Sequence, residues 1–318
     1  MEKIINGIHH ITVMASDPQA NYNFYTQTLG MRFIKKTVNF DAPDVYHLYY
    51  GDEIGTPGTI LTFFPFPDAR RGKRGGGEIN IVSFSVPSNS LQYWIDRLAE
   101  LAIDFSGPSK KFGYEFISLL DPDGMKIEIV ADDNVDKIVG WNNGEVPPEH
   151  AIRKFFGSTF YLSDSAETED LLSKAMGAKF ITKEGNMKRY SFGENESIAF
   201  VDIVEDKNLP RAMSGAGSVH HIAWRTANDE EQLNWRNRIL EHGLRPTEVV
   251  DRNYFHSIYF REPGGILFEI ATDEPGFLID EDINSLGEEL KLPEWHEPKR
   301  SLIEQRLIPL KTKSLVKK

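Results

Sequence analysis

Four times along these 318 residues a helical stretch ends in a turn and runs into a strand, and each time an alternating or apolar segment comes before it. The helix-to-strand stretches run Asn23 to Ile34, Trp94 to Phe105, Leu171 to Ile181 and Trp235 to Pro246. The segments before them are Ile8 to Ala15, Ile79 to Val86, Phe155 to Leu162 and Val219 to Thr226. Self-similarity of this kind means one supersecondary unit copied along the chain, with a period of roughly 50 to 70 residues. Gly30, Gly177 and Gly243 close three of the four helices, as expected for a left-handed C-terminal cap. Short strands separated by turn residues complete each copy. The unit therefore reads β-α-β-β-β, and the fold class is α+β, built from four βαβββ units.

The copies fall into two classes. Units two and four end alike, Asp121-Pro122-Asp123-Gly124-Met125-Lys126-Ile127-Glu128-Ile129 against Glu262-Pro263-Gly264-Gly265-Ile266-Leu267-Phe268-Glu269-Ile270. Units one and three carry Tyr49-Tyr50-Gly51-Asp52 and Ser191-Phe192-Gly193-Glu194 before their last strands. The pairing of an odd unit with an even one predicts a first domain over 1–139 and a second over 150–274. The Pro- and Gly-rich stretch Gly140 to Glu149 lies between them. Residues 275–318, with four prolines and one helix predicted from Lys299 to Leu307, read as a tail packed on the body.

Composition excludes several classes of function. The chain has 36 Lys and Arg against 48 Asp and Glu, a net charge of −12, so nothing drives counterion release from nucleic acid or attraction to an anionic membrane surface. The basic clusters Arg70-Arg71-Gly72-Lys73-Arg74 and Lys311 to Lys318 read as a solvated loop and tail. With no cysteine, there are no disulfides, iron–sulfur clusters or thiol nucleophiles. A metal here must be held by His, Asp and Glu, which suits iron, manganese or zinc. No apolar run reaches the ~20 residues of a membrane span, and no signal-peptide core follows Met1, so a cytoplasmic protein is expected.

Two histidine pairs sit in matching contexts, Gly7-Ile8-His9-His10-Ile11 and Ser218-Val219-His220-His221-Ile222. Each is followed seven or eight residues later by an Asp, Asp17 or Asp229, that opens a helix. Strand alternation separates His9, Ile11, Val13 and Ala15 from His10, Thr12 and Met14, and His220, Ile222 and Trp224 from His221, Ala223 and Arg225. The bulkier apolar face should pack under the helix, leaving His10 and His221 on the open face. A lone strand histidine is more often a packed core residue; two in a repeated context point to a site. Glu269 lies in the apolar run Ile266 to Ile270, where a carboxylate is costly unless something binds it.

This arrangement resembles the vicinal oxygen chelate superfamily of glyoxalases, fosfomycin-resistance thiol transferases, bleomycin-binding proteins and extradiol dioxygenases. The segments Val45 to Glu53 and Tyr254 to Gly265 are similar to those of bacterial ring-cleaving dioxygenases linked to hydroquinone and quinone resistance. The resemblance covers Gly7 to about Leu310. It implies paired units curved into cup-shaped mixed sheets whose strands present metal ligands, here His10, His221 and Glu269. It further implies a non-haem Fe(II) extradiol-type dioxygenase that opens hydroquinone- or catechol-like rings with O2, in a detoxifying role. Mn(II) or Zn(II) would suit the same donors, and a homo-oligomer is compatible with it. Rival readings are a glyoxalase- or thiol-transferase-like metalloenzyme, and a metal-free protein that sequesters an aromatic toxin.

Two ways of closing the sheets lead to different sites. If unit one faces unit four, His10, His221 and Glu269 form one complete triad, and Glu128 is a structural remnant. If each half closes on itself, His10 meets Glu128 and His221 meets Glu269, giving two incomplete sites. One complete site is the better chemistry, so the first arrangement is expected. The position at which the resemblance implies an acid–base histidine falls on Val250 to Arg252 and holds none. His256 and Tyr259 are the catalytic candidates in its place, although residues three apart on a regular strand face opposite sides. His47, Arg252 and Arg261 are further polar candidates. Gly75-Gly76-Gly77 lacks the strand–turn–helix setting of a dinucleotide fingerprint, so no organic cofactor site is expected.

Overall fold

The four units appear in the computed structural model, which describes residues 4–313; Met1 to Lys3 and the basic tail beyond Lys313 lie outside the described residues. Unit one consists of β1 (Ile8–Ala15), α1 (Pro18–Asn23), β2 (Arg32–Asn39), β3 (Ala42–Gly51) and β4 (Ile60–Pro65). Unit two follows with β5 (Glu78–Val86), α2 (Leu91–Glu100), β6 (Phe105–Lys111), β7 (Tyr114–Leu120) and β8 (Lys126–Ala131). Unit three has β9 (Lys154–Leu162), α3 (Ala166–Asp170), β10 (Lys179–Glu184), β11 (Met187–Phe192) and β12 (Ala199–Glu205). Unit four has β13 (Val219–Thr226), α4 (Asp229–Glu241), β14 (Val250–Asp251), β15 (Phe255–Arg261) and β16 (Leu267–Pro275). In the tail, α5 (Arg300–Arg306) matches the predicted helix.

Helix ends follow the local chemistry. Asp17 caps α1 by accepting from the backbone N–H groups of Gln19 and Ala20. In units one and three the helix loosens into a π turn, Phe24–Thr28 and Leu171–Ala175, whereas α2 and α4 stay regular. Gly30, Gly177 and Gly243 all have positive φ. In unit two the corresponding turn is made by Ala102, held at φ 52° without a glycine's freedom.

Two eight-stranded sheets result, and each takes one unit from residues 1–139 and one from 150–274. The first runs β14-β15-β16-β13-β1-β4-β3-β2, so unit four meets unit one; the second runs β10-β11-β12-β9-β5-β8-β7-β6, so unit three meets unit two. The seams are antiparallel: β1 on β13 with Ile11 opposite Ile222, and β5 on β9 with Val82 opposite Ser158. Within each unit the first and last strands run parallel, as β1 with β4 and β13 with β16. Ile11, Val13, Ile222, Trp224, Phe268 and Ile270 are buried in the core, so the bulkier strand face does pack inward.

The tail crosses the first sheet. Lys35 on β2 is fully buried, and its Nζ reaches Asp280 at 2.5 Å, Glu281 and the Phe277 carbonyl. An ammonium buried this deeply is tolerated because carboxylates surround it. Phe277 packs on Tyr49 and Tyr254, and His296 Nε2 bonds the Phe40 carbonyl at 3.0 Å. The tail thus backs the β2–β3 turn. No helix among the described residues is long and apolar enough to cross a membrane.

Candidate metal centre

The β1–β13 seam brings His10 and His221 together, and the parallel β13–β16 pair sets Glu269 beside Ala223. His10 Nε2 lies 3.2 Å from His221 Nε2 and 3.3 Å from Glu269 Oε2, and His221 Nε2 lies 2.9 Å from the same oxygen. All three residues are buried, Glu269 completely. Glu269 Oε1 accepts from Ser257 Oγ, whereas Oε2 makes no hydrogen bond of proper geometry. A fully buried carboxylate oxygen without a hydrogen bond is expensive, and one that faces two converging imidazole nitrogens is arranged for a cation.

Electrostatics agree. Burial alone would push the Glu269 carboxyl up, but His10 and His221 outweigh it and hold it well below the usual range. Burial pushes His221 down, against the opposing pull of Glu269. An ionised carboxylate with neutral imidazole is the protonation state that donates lone pairs to a metal. The donor set of two nitrogens and one oxygen suits a divalent transition ion and leaves coordination positions open.

The unused edges of both ligand histidines are held alike. His9 Nδ1 lies 2.9 Å from His10 Nδ1, and His220 Nδ1 lies 2.7 Å from His221 Nδ1. If each ligand ring donates its Nδ1 proton to its neighbour, its Nε2 lone pair faces the triad centre. Burial and the adjacent His10 hold His9 well below its ordinary value, so it stays neutral. Sequence alternation assigned His9 to packing alone. The doubled His-His pattern carries the signal for this support, but alternation hides it because neighbouring side chains on a regular strand point apart.

Above the triad is a cavity of about 320 Å³, at the small end of ligand pockets, with Phe64, Phe255 and Tyr49 among its walls. Tyr259 enters it from β15. Its hydroxyl accepts from Arg252 Nε at 3.0 Å, and Arg252 Nη1 reaches Asp41 Oδ2 at 3.0 Å. Burial and the nearby Glu269 push the Tyr259 phenol up, so it stays protonated. His47 also faces the cavity, fixed by Tyr49 Oη at 2.8 Å and Thr62 Oγ1 at 2.8 Å.

The structure does not bring His256 to this site. Its Nδ1 pairs with Asp229 Oδ1 at 2.6 Å at the start of α4, on the opposite side of β15 from the cavity. Strand parity is the physical reason. Ser257 and Tyr259 face the triad, so His256 faces the helix. The β15–β16 register shifts between Phe255 and Ser257, and this irregularity does not turn His256 inward. Arg252, in the segment expected to hold the missing histidine, occupies the cavity instead.

The second sheet contains the counterpart of this centre without its histidines. Ser83 pairs with Glu128 as Ala223 pairs with Glu269, and Thr159 with Asp202 as Thr12 with Thr62. By that register Ile81 stands where His221 does, and Gly157 where His10 does. At Gly157 a Cβ would lie 2.1 Å from the Phe200 carbonyl oxygen, so no imidazole fits. Lys111 Nζ sits 2.7 Å from Glu128 and 3.4 Å from Asp202, and Arg189 grips Asp202 through Nε at 2.7 Å. An internal ammonium satisfies the carboxylates that a metal would otherwise hold.

Residues 7–129 and 158–270 match the Glyoxalase/Bleomycin resistance protein/Dioxygenase superfamily. The chain belongs to that superfamily. It is 44% identical over 316 residues to MhqO of Bacillus subtilis, a protein assigned as a ring-cleaving dioxygenase, covering 99% of this chain and 100% of that one. It is 37% identical to a chlorohydroquinone/hydroquinone 1,2-dioxygenase of Sphingobium indicum, covering 91% of each chain. A crystal structure of a Bacillus subtilis protein assigned as a dioxygenase superposes with a TM-score of 0.93 at 43% identity, covering 98% of this chain and 99% of that one. Glyoxalase I from Zea mays shares the fold, with a TM-score of 0.62 at 12% identity over 84% of this chain and 92% of that one.

Proposed function

We propose that this chain is an Fe(II)-dependent ring-cleaving dioxygenase of extradiol type acting on hydroquinone-like aromatic diols. The observation that carries the reading is the bare Glu269 Oε2 between His10 and His221, opening into a cavity walled by aromatic rings. The relatives named as dioxygenases support the reaction class, and the hydroquinone enzyme of Sphingobium indicum supports the substrate class.

His10, His221 and Glu269 would hold the iron. Bound there, Fe(II) supplies the Lewis acidity and one-electron redox chemistry that let a diol and dioxygen react on a common centre. The chain's own residues do the rest. Phe64 and Phe255 pack the ring and exclude water, which fixes its orientation. The Arg252 guanidinium faces the cavity as a fixed positive charge, favouring a ring oxygen that has given up its proton. Arg252 Nε donates to the Tyr259 oxygen, so the Tyr259 proton points to another acceptor and can be offered to substrate oxygen. His47, with both ring nitrogens engaged, holds a wall in place.

Anaerobic loading with Fe(II), followed by oxygen-electrode measurement over a panel of hydroquinones and catechols, tests the proposal. Stoichiometric oxygen uptake with loss of ring absorbance is expected. No uptake by fully loaded protein, with turnover of a hemithioacetal instead, would move the chain to glyoxalase chemistry.

A further inference from the structure

The ring-sized cavity does not end at its mouth. Asn39, Phe64, His220 and Leu267 line both it and a wider vestibule of about 1010 Å³ that opens outward. Two loops, one from each half of the chain, build its wall, bridged at Arg71–Ala216, Lys73–Met213 and Gly76–Arg211. They are packed backbone to backbone: a Cβ at Gly75 would lie 2.2 Å from the Pro210 carbonyl oxygen. The vestibule is therefore preformed, and it is far larger than a bare diol requires.

Its charges are uneven in their partners. Glu78 accepts from the Gly75 N–H and lies 3.7 Å from Arg74, and Asp164 caps the chain by accepting from Ala166 N. Arg261 spends one nitrogen on the Gly265 carbonyl and has no carboxylate partner among the described residues. Arg211 is exposed and its guanidinium has no partner among them at all. In a chain of net charge −12, two arginines that line one cavity without carboxylate partners among the described residues are a selective feature.

We propose that the vestibule is a second subsite, taking the side arm of a substituted ring diol, and that Arg261 and Arg211 select side arms ending in a carboxylate. The inference rests on the ring-cleaving reading for its ring end and on the vestibule for its arm. Substrates are then ring diols with a flexible acidic substituent, the ring passing Phe64 and His220 while the arm remains outside.

The experiment uses two matched pairs. A phenol bearing a short alkyl carboxylate and its methyl ester are titrated calorimetrically into the protein, and the corresponding hydroquinones are assayed for oxygen uptake by the Fe(II)-loaded enzyme. The acid should bind about fivefold more tightly than the ester, the factor that corresponds to ~1 kcal/mol from the two exposed ion contacts together. The same ratio should appear in kcat/KM. In the R211Q/R261Q double variant both ratios should fall toward one. A ratio near one in the unaltered protein, or one that survives the double substitution, overturns the subsite. An acid preference in binding without oxygen uptake from any diol sinks the dioxygenase reading and leaves the subsite standing.

Discussion

Replacing Glu269 by Gln changes one atom at the centre of the triad and removes its only formal charge. The volume is unchanged, and the amide oxygen can keep the Ser257 bond, so the fold is retained. The substituted NH2 then faces His10 and His221 as a donor, where Oε2 had stood at 3.3 and 2.9 Å. Two imidazoles alone should hold a divalent ion at least ~100-fold more weakly, since losing merely an outer-sphere partner costs 10–100-fold. The consequence can be read as stability. Metal at 100 times its dissociation constant adds about 2.7 kcal/mol to a protein that binds it only when folded. At the same metal concentration the variant would sit near or below its own dissociation constant and gain about 0.4 kcal/mol or less. Denaturant unfolding with and without Fe(II) under argon measures both increments, with metal analysis alongside. The control is Glu128→Gln in the second sheet, where Lys111 is the existing partner. Its baseline should drop while its metal increment stays near 2.7 kcal/mol. A full increment in Glu269→Gln, or its loss in Glu128→Gln, would refute the pairing of unit one with unit four as the metal centre.

Other outcomes follow from particular contacts. Lys111→Met strands the buried Glu128 carboxylate and should destabilise by about 3–5 kcal/mol in urea unfolding, with Glu128→Gln in the same chain recovering much of the loss. Ala102→Gly relieves a left-handed backbone and should stabilise by about 0.5 kcal/mol, the strain outweighing the added freedom of the unfolded chain. Burial raises the Asp121 carboxyl to about 6, so the folded state holds that proton more tightly than the unfolded state does. Its contribution is full below the unfolded value near 3.8 and is lost as pH rises to about 6, so the stability of wild type minus Asp121→Asn should fall by on the order of 2–3 kcal/mol across that window. His256→Ala should leave metal content and turnover intact, while Tyr259→Phe should lower turnover by about 10²-fold with metal content unchanged; the reverse ranking would restore His256 to the chemistry.

The first strand of each unit was legible because alternation and length agree there: β1 and β13 begin and end at the predicted residues. Three helix ends were legible from glycine, whereas the fourth was not, since Ala102 adopts the same backbone without the signal. The triad could be chosen because His10, His221 and Glu269 each stand in a repeated context, and a repeat removes the ambiguity of a lone polar residue. What stayed hidden depends on pairs far apart in sequence. Nothing near Lys111 announces that its ammonium will settle between Glu128 and Asp202, and nothing near Arg252 announces Tyr259 and Asp41 as partners. His256 had the right residue type and neighbourhood, but it lies on the wrong side of a single strand.

The order of strands in the first sheet also governs when the molecule can be finished. β1 is synthesised before its seam partner β13, which begins at Val219, more than two hundred residues later. Pairings of such long range form slowly, because the closure entropy of the intervening chain must be met before any contact rewards it. Units two and three can complete their own sheet while unit one waits with the β1 edge, and with it His9 and His10, unprotected. Release of a chain truncated before unit four should therefore yield an aggregation-prone species that cannot hold metal. Metal capture at His10, His221 and Glu269 would be a late event in biogenesis, possible only once unit four has closed on unit one.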